Sequence, residues 1–340
     1  PTYVKRGSQT RVGTSFGQSH IEAGCSFCGA CVEACPTGAL WDKTSKWDGK
    51  PDSEVQSTCP FCSLGCDIRL QIKNGAVIGV LPGEGMSSLC VKGRFGVPEV
   101  VNHPDRLKHV LRITDGKAVK ISWDEAYQLA AEKLASCAPD EFALVTSASC
   151  SSEDLFIARK FISQVMDSDA AYVSTEARYG SNLSATARLL AKSRPLDALN
   201  TADLIVCLGL DAQYSQSVVE GRLLYARERG VKIITIHASQ HVPGRFADLW
   251  LKPEPNGEAL MLSSLAAGRP DAQGVESASQ LIEAAVNPVL VVGPEYLMRL
   301  PAAVEELQVS TGAQLVALAA EGNLVGALQA GFGVGKSALL

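Results

Sequence analysis

Several features that mark large protein classes are missing from this sequence of 340 residues. No apolar run approaches the roughly 20 residues that a membrane helix needs, which argues against a membrane span. No basic block or basic patch interleaved with aromatic residues is present, so a nucleic-acid partner is not expected. With 20% charged residues, 46% hydrophobic residues and a net charge of -5, the composition is typical of a soluble globular protein.

The standard nucleotide-binding signatures are also missing. No G-x-G-x-x-G follows a predicted strand, so a standard NAD site is not supported. The glycine-rich segment 331–337 lacks the preceding strand and the G-x4-G-K-S spacing of a phosphate loop, and we interpret it as a glycine-rich tail. The first residue is Pro1 rather than Met, so we expect the natural start to lie upstream, and no targeting signal is visible.

Cysteine is what the sequence has in unusual number and arrangement. Of its 11 cysteines, eight fall into two clusters with ligand-type spacing. We call them the first cysteine set (Cys25, Cys28, Cys31 and Cys35) and the second cysteine set (Cys59, Cys62, Cys66 and Cys90). Clustered thiolates favour metal binding over disulfides and predict a reducing, cytoplasmic setting.

The second cysteine set combines short spacings with one long excursion before Cys90. Four thiolates gathered around one point bind either zinc or a [4Fe–4S] cube. Zinc sites usually pair one C-x-x-C with another, and no second pair stands near Cys90, so the spacing favours iron–sulfur. The simplest alternative is that these are four unrelated buried cysteines.

The first cysteine set, with Pro36 behind it, is the bacterial ferredoxin run C-x2-C-x2-C-x3-C-P. Three of its thiolates usually hold one cube, while the fourth, here Cys35, points to a second cube held by another run. That other run is absent from this sequence. Three explanations are open. The other run lies upstream of Pro1, it lies on a partner subunit, or there is no such run and Cys35 is unligated. The first option is favoured, because residues 1–24 look like an irregular loop entered in the middle of a domain.

The rest of the chain predicts an α/β fold. Residues 37–58 are polar and are predicted to be a linker, and a hairpin with an Asn74-Gly75 turn follows. Ser122 is predicted to cap a helix that runs to about Ala135, with Glu125 completing a capping box. Apolar strands at 142–146, 204–209, 231–236 and 288–293 alternate with helices, at 153–166 and 218–229 among others, which predicts a buried parallel sheet with ligands at its carboxyl edge.

The motifs together resemble the molybdopterin oxidoreductase family, especially formate dehydrogenase alpha subunits and the large iron–sulfur subunit of NADH dehydrogenases. The segments that carry this resemblance are 11–40, the second cysteine set, 89–96, 103–107, 121–126, 202–206, 246–251 and 322–328. The resemblance implies a ferredoxin-type domain at 1–50, incomplete at its N-terminus, and a small β domain with a [4Fe–4S] cluster at 51–115. A degenerate Rossmann-like domain would follow at 116–340.

The resemblance also implies roles for residues beyond the cysteines. Lys92 matches a lysine that lies between the cube and the pterin in formate enzymes. The window Arg178-Tyr179-Gly180 matches the position of a metal-ligating cysteine or selenocysteine followed by histidine, and here it has neither. Segments 237–240 and 255–258 also depart from the family's cofactor-holding sequences, and the chain stops before the domain that closes the cofactor site. Gly209, Asp211 and Glu258 are the remaining candidates for cofactor binding.

Three of the cysteines lie outside both sets. Cys207 sits in an apolar strand and is predicted to be core, Cys137 has no assigned role, and Cys150 follows a strand end, where ligands bind. His237 also ends a strand, but it is interpreted as structural because no ligand cluster surrounds it.

Two hypotheses of function follow, together with a weaker, purely structural one. The favoured hypothesis is an electron-transfer subunit that works with flavin/NADH, hydrogenase or ferredoxin-type partner modules. The alternative is a catalytic molybdenum or tungsten formate dehydrogenase that binds a molybdopterin guanine dinucleotide. The missing Cys-His pair at 178–180 favours the first.

Overall fold

A computed structural model describes residues 2–43, 45–86, 88–212, 216–240, 242–269 and 274–333. The strands are β1 (Thr2–Val4), β2 (Arg11–Gly13), β3 (Ser53–Thr58), β4 (Asp67–Lys73), β5 (Ala76–Pro82), β6 (Leu111–Thr114), β7 (Lys117–Lys120), β8 (Leu144–Thr146), β9 (Ala171–Val173), β10 (Leu204–Leu208), β11 (Lys232–Ile236), β12 (Leu249–Leu251), β13 (Pro288–Val292) and β14 (Gln314–Ala317).

The helices are α1 (Ala30–Glu33), α2 (Val97–Asn102), α3 (Trp123–Ala135), α4 (Ser152–Gln164), α5 (Glu176–Tyr179), α6 (Leu183–Lys192), α7 (Ser217–Glu228), α8 (Val242–Phe246), α9 (Glu258–Ala266), α10 (Val275–Ala284), α11 (Pro294–Arg299), α12 (Pro301–Thr311) and α13 (Leu324–Gln329). Within the described residues, no helix has both the length and the apolar character needed to cross a membrane.

The largest sheet is parallel and has the strand order β12-β11-β10-β13-β14. Its central strands β10 and β13 are buried at every residue, because helices cover both faces of the sheet. After β10 the chain adds β11 and β12 on one side of that strand, and it then adds β13 and β14 on the other side. The strand order therefore reverses between β10 and β13. This confirms the α/β class and the three predicted strands at 204–209, 231–236 and 288–293.

The predicted strand at 142–146 does not belong to this sheet. It is β8, which pairs with β9 in a separate two-stranded parallel sheet. The expectation that it is fully buried was wrong, because Val145 is 67% exposed while Leu144 packs against the core. A strand in a small sheet with one covered face buries only alternate side chains.

The cysteine-rich part of the chain contains a three-stranded antiparallel sheet with the order β3-β4-β5. The predicted hairpin is confirmed: Asn74 and Gly75 both have positive φ, at 50° and 75°, as the turn requires. The prediction of a linker at 37–58 was wrong for residues 53–58, which form β3. The side chains of β3 are mostly polar, and the strand is held by main-chain pairing with β4. Likewise β1 and β2 pair within the segment predicted to be an irregular loop.

The predicted helices are found close to their expected bounds. Ser122 caps α3 as predicted, since its Oγ accepts a hydrogen bond from the Glu125 N–H at 3.1 Å. The helices predicted at 153–166 and 218–229 are α4 and α7. Of the glycine-rich segment 331–337, residues 334–337 lie outside the described residues.

Candidate metal centre

The second cysteine set is organised by the turn between β3 and β4. Thr58 and Asp67 form the last pair of this antiparallel ladder, so Cys59 and Cys66 face each other one step beyond it. The Cys59 N–H donates a hydrogen bond to the Cys66 carbonyl at 2.9 Å. Gly65, with φ at +52°, lets the chain reverse tightly enough to bring Cys62 into the same turn.

Cys90 joins this turn from the segment that precedes the helical turn Lys92–Gly96. A Cβ placed on Gly93 would lie 3.6 Å from Cys59 Sγ and 3.9 Å from Cys90 Sγ, so the two sulfurs approach the same point. The Gly93 N–H also donates a hydrogen bond to Cys90 Sγ at 3.5 Å. The Gly93 backbone therefore forms one wall of the site, where a side chain would meet both sulfurs.

The thiols of this set share a buried environment. Burial raises the pKa of Cys59, Cys62 and Cys66, in the case of Cys66 to about 12, because a thiolate loses its hydration there. Neighbouring thiols raise these pKa values further, and Cys90 contributes to all three. A negative charge on one of these sulfurs therefore disfavours a negative charge on its neighbours. A bound cation would reverse it by stabilising the thiolates.

The donor set fits an iron–sulfur cube. All its members carry free thiols. In the described part of the chain, no three Cys, His, Asp or Glu side chains are placed to hold one metal ion. A cube does not require such convergence, because each cysteine ligates a different iron.

The first cysteine set surrounds the short helix α1. Gly29 precedes this helix with φ at +74°, and Phe27, at φ 52°, donates its N–H to Cys25 Sγ at 3.3 Å. Cys35 lies beyond the helix, where its Sγ accepts from the Leu40 N–H at 3.5 Å. This hydrogen bond, together with the Thr37 hydroxyl, lowers the pKa of Cys35 to about 7. Which cluster Cys35 binds stays a prediction.

The segments that carry the two cysteine sets are in direct contact. The Leu89 N–H donates a hydrogen bond to the Cys28 carbonyl at 3.3 Å. The guanidinium of Arg94, only 6% exposed, forms an ion pair with the Glu33 carboxylate. Sequence reasoning missed this pair. The available signal was an acidic residue inside the ferredoxin run and an arginine inside the segment 89–96.

Lys92 is the exposed first residue of its helical turn. Its charge acts on the Cys62 thiol, where it partly offsets the effect of burial on the pKa. Lys92 follows Cys90 by two residues in the chain, and its relay role stays a prediction.

The window predicted to replace the family's metal ligand lies in and after α5. Glu321 accepts hydrogen bonds from Arg178 Nη1 at 2.8 Å and from the Tyr179 hydroxyl at 3.0 Å. Tyr179 is 3% exposed, and burial followed by the Glu321 charge raises its pKa above the ordinary range. Gly180 turns the chain with φ at +52°. Glu321 was missed from the sequence, where it is 142 residues away from Tyr179.

The candidates Gly209, Asp211 and Glu258 all lie near the carboxyl edge of the large sheet. Gly209 follows β10, and a Cβ there would lie 2.1 Å from Tyr296 Cδ1, so the tyrosine ring covers this position. Burial and then the charge of Glu258 raise the pKa of the Tyr296 hydroxyl. Burial also raises the pKa of Glu220, and the charge of Asp211 adds to this rise while Ser26 and Arg245 oppose it.

A pair of buried polar groups stands at the same edge. Gln216 and Ser217 begin α7, and within the described residues the Gln216 amide and the Ser217 hydroxyl have no hydrogen-bond partner. Buried polar groups normally have partners. These two side chains therefore fit a polar ligand at the place where parallel sheets bind one.

Three family models match consecutive parts of the chain. Residues 20–41 match the 4Fe-4S binding domain, residues 52–103 match the Molybdopterin oxidoreductase Fe4S4 domain, and residues 106–267 match Molybdopterin oxidoreductase.

Curated relatives resemble most of the chain. The NADPH-Fe(3+) oxidoreductase subunit alpha of Geobacter sulfurreducens is 30% identical over 279 residues, which cover 77% of this chain and 32% of the relative. The F420-dependent formate dehydrogenase 1 subunit alpha of Methanococcus maripaludis is 28% identical over 62% of this chain and 32% of its own length. A subunit of the NADH-quinone oxidoreductase of Rhizobium meliloti is 27% identical over 78% of this chain and 31% of its own length. The matches thus span about a third of each relative.

Acetylene hydratase from Pelobacter acetylenicus is a solved structure with a similar fold. It has a TM-score of 0.55 at 17% identity, covering 81% of this chain and 42% of that chain.

Proposed function

Because this chain belongs to the molybdopterin oxidoreductase family, we propose that it is an iron–sulfur electron-transfer subunit of a multisubunit oxidoreductase. The observation that carries the proposal is the contact between the two cysteine sets through Leu89 and Cys28. Each set would hold a [4Fe–4S] cluster, which supplies one-electron storage and transfer when bound.

The protein's own residues supply burial and hydrogen bonds for this role. Cys59, Leu89 and Cys90 are buried and exclude water from the second cysteine set. N–H donors reach sulfurs in both sets, including those of Cys25 and Cys90. Hydrogen bonds to sulfur and exposure to solvent are the means by which a protein tunes cluster potential.

The contacts at 178–180 favour relay over substrate chemistry. The window contains no cysteine or histidine, and Arg178 and Tyr179 are both engaged by Glu321. The partners we propose are redox subunits with flavin/NADH, hydrogenase or ferredoxin-type modules. The names of the relatives, which include subunits of NADPH-Fe(3+) and NADH-quinone oxidoreductases, support partners of this class.

A second candidate function is that of a molybdenum or tungsten formate dehydrogenase with a pterin cofactor. The unpaired buried groups of Gln216 and Ser217 favour it, since they would gain partners from a polar ligand at the edge of the sheet. In that case Lys92, two residues after Cys90, would be the residue between cube and pterin.

Elemental analysis of the anaerobically purified chain tests both functions. The relay function predicts about eight irons per chain, without molybdenum or tungsten. Cys62→Ser should lower this to about four irons and destabilise the N-terminal part, because the second cube loses a ligand. Cys137→Ser is the matched control, since Cys137 is exposed and belongs to neither set, and the iron content of this variant should stay at the wild-type value.

Other metal contents would change the conclusion. Molybdenum or tungsten near one per chain would support the catalytic alternative and contradict the relay function. About four irons in the wild type would mean that one cysteine set is empty, in which case the two-cluster proposal fails.

A further inference from the structure

We infer, on the basis of the electron-transfer function proposed above, that Arg94 is a positioning residue that holds the two cysteine sets at one fixed separation. With clusters bound by both sets, an electron would cross between them by way of the hydrogen bond from Leu89 to Cys28. No bond would form or break, because one cluster would lose the electron that the other gains.

The proposed crossing is a short, buried connection. Cys28 belongs to the first cysteine set, and its carbonyl accepts from the N–H of Leu89 at 3.3 Å. Leu89 is 1% exposed and is covalently bonded to Cys90 of the second set. One hydrogen bond therefore joins two stretches of covalent chain that each carry a ligand cysteine.

Arg94 contacts the chain segments on both sides of this hydrogen bond. On its own side, the Arg94 N–H donates to the Cys90 carbonyl at 2.9 Å. On the other side, its guanidinium is paired with Glu33, which lies between Cys31 and Cys35 on α1. Arg94 is thus anchored to the segments of both sets, through its backbone to Cys90 and through its side chain to Glu33.

The Arg94 guanidinium also packs against the backbone of Gly29. A Cβ placed on Gly29 would lie 3.2 Å from Arg94 Nε and 3.4 Å from Cζ. Gly29 is bonded to Cys28 and has φ at +74°, a conformation that favours glycine. The absence of a side chain lets the guanidinium pack against the backbone next to Cys28. Because this cation is buried, losing Glu33 would leave it without its counter-ion.

The test uses the full chain, reconstituted anaerobically with iron and sulfide. Three properties are measured: iron per chain, hydrogen exchange of the Leu89 amide, and the magnetic interaction between the two reduced clusters by electron paramagnetic resonance. The variants are Arg94→Gln and Glu33→Ala. Arg69→Gln is the control, because it removes an exposed ion pair, with Glu54 at 3.0 Å, that joins β3 to β4 and touches neither Arg94 nor Glu33.

We expect Arg94→Gln and Glu33→Ala to speed exchange at Leu89 at least ~10-fold, because a buried charge pair is broken at the contact. The magnetic interaction should weaken and spread over a range of strengths, while iron stays near the wild-type value. A residue that merely stabilised the fold would leave this interaction unchanged. Arg69→Gln should change neither property.

Unchanged exchange and an unchanged magnetic interaction in both variants would overturn the role of Arg94. If Arg94→Gln fails to hold iron, Glu33→Ala decides, since it truncates a partly exposed side chain outside the ligand set. A failure of the proposed electron-transfer function gives a different result, because the iron content would then show that the wild type itself lacks one cluster. Hydrogen exchange at Leu89 would still show whether Arg94 holds the two segments together.

Discussion

The backbone N–H of Ser63 donates a hydrogen bond to the carbonyl of Ala319 at 3.3 Å. Ser63 lies between Cys62 and Cys66, and Ala319 follows β14 of the large sheet. Next to this bond, Leu64 packs against one face of the α/β core. The turn that carries three ligand candidates is therefore seated on the carboxyl edge of the sheet, where parallel sheets bind their ligands.

Gly322→Ala should weaken this seating. A Cβ at Gly322 would lie 2.3 Å from the Pro60 carbonyl oxygen, and a backbone atom cannot move aside as a flexible side chain can. We expect a loss of about 1–3 kcal/mol in the free energy of unfolding. The measurement is the midpoint of urea unfolding of the anaerobically purified protein.

Gly221→Ala is the matched control for this substitution. Gly221 lies inside α7 with open space around it, so alanine should stabilise the helix by about 0.5–1 kcal/mol. An unfolding midpoint for Gly322→Ala that equals or exceeds the wild-type value would contradict the close contact with Pro60.

Tyr179→Phe should cost about 1.5–3 kcal/mol, the range for a hydrogen bond to a charged group, because Tyr179 is buried and donates to the Glu321 carboxylate. Tyr172→Phe, at an exposed position on β9, is the control and should be nearly neutral. Chemical unfolding of both variants at neutral pH provides the comparison. Equal stabilities of the two variants would show that the Glu321 contact contributes nothing.

The same substitution has a pH signature. Burial and the Glu321 charge raise the pKa of Tyr179 in the folded protein above that of an unfolded tyrosine, which is about 10. A raised pKa of the folded state means that the stability gained from the protonated hydroxyl is fully present below pH ~10 and is lost as the pH rises further. The difference between wild type and Tyr179→Phe should therefore be constant from neutral pH to about 10 and shrink above it.

The features predicted from the sequence are those that neighbouring residues determine. The Asn74-Gly75 turn and the Ser122 cap depend on backbone chemistry within four residues, and both are found as expected. Apolar runs such as β10 were also visible, because a strand buried on both faces is apolar at every position and is bounded by polar or turn residues. By contrast, β3 was taken for a linker because its side chains are polar and its pairing with β4 is made by the main chain.

The contacts missed at the candidate site join residues that are distant in the sequence. Arg94 and Glu33 are 61 residues apart, and Tyr179 and Glu321 are 142 apart. No local periodicity or motif relates such pairs, since the tertiary fold alone brings them together. Spacing could therefore predict which cysteines form a set, but not that the segments carrying the two sets are in contact.

The ion pairs between α6 and α12 provide a test at acidic pH. Glu305 accepts from Arg188 Nη2 at 3.0 Å and from Lys192 Nζ at 3.1 Å. The hydrogen bond from Arg188, and after it that from Lys192, holds the pKa of Glu305 below its usual value despite partial burial. A depressed pKa means that the stability from this cluster is present above the unfolded pKa of about 4.3 and is lost as the pH falls through the folded pKa.

Glu305→Gln should therefore be less stable than wild type at pH 7, by at most ~1 kcal/mol because these pairs are partly exposed to solvent. The difference should persist down to about pH 5 and vanish in stronger acid, where the wild-type carboxylate is protonated too. Glu283→Gln, at an exposed position on α10, controls for the loss of one negative charge. Urea unfolding curves recorded across this pH range make the comparison. A difference between wild type and Glu305→Gln that stayed constant into strong acid would place its origin in packing rather than in the ion pairs.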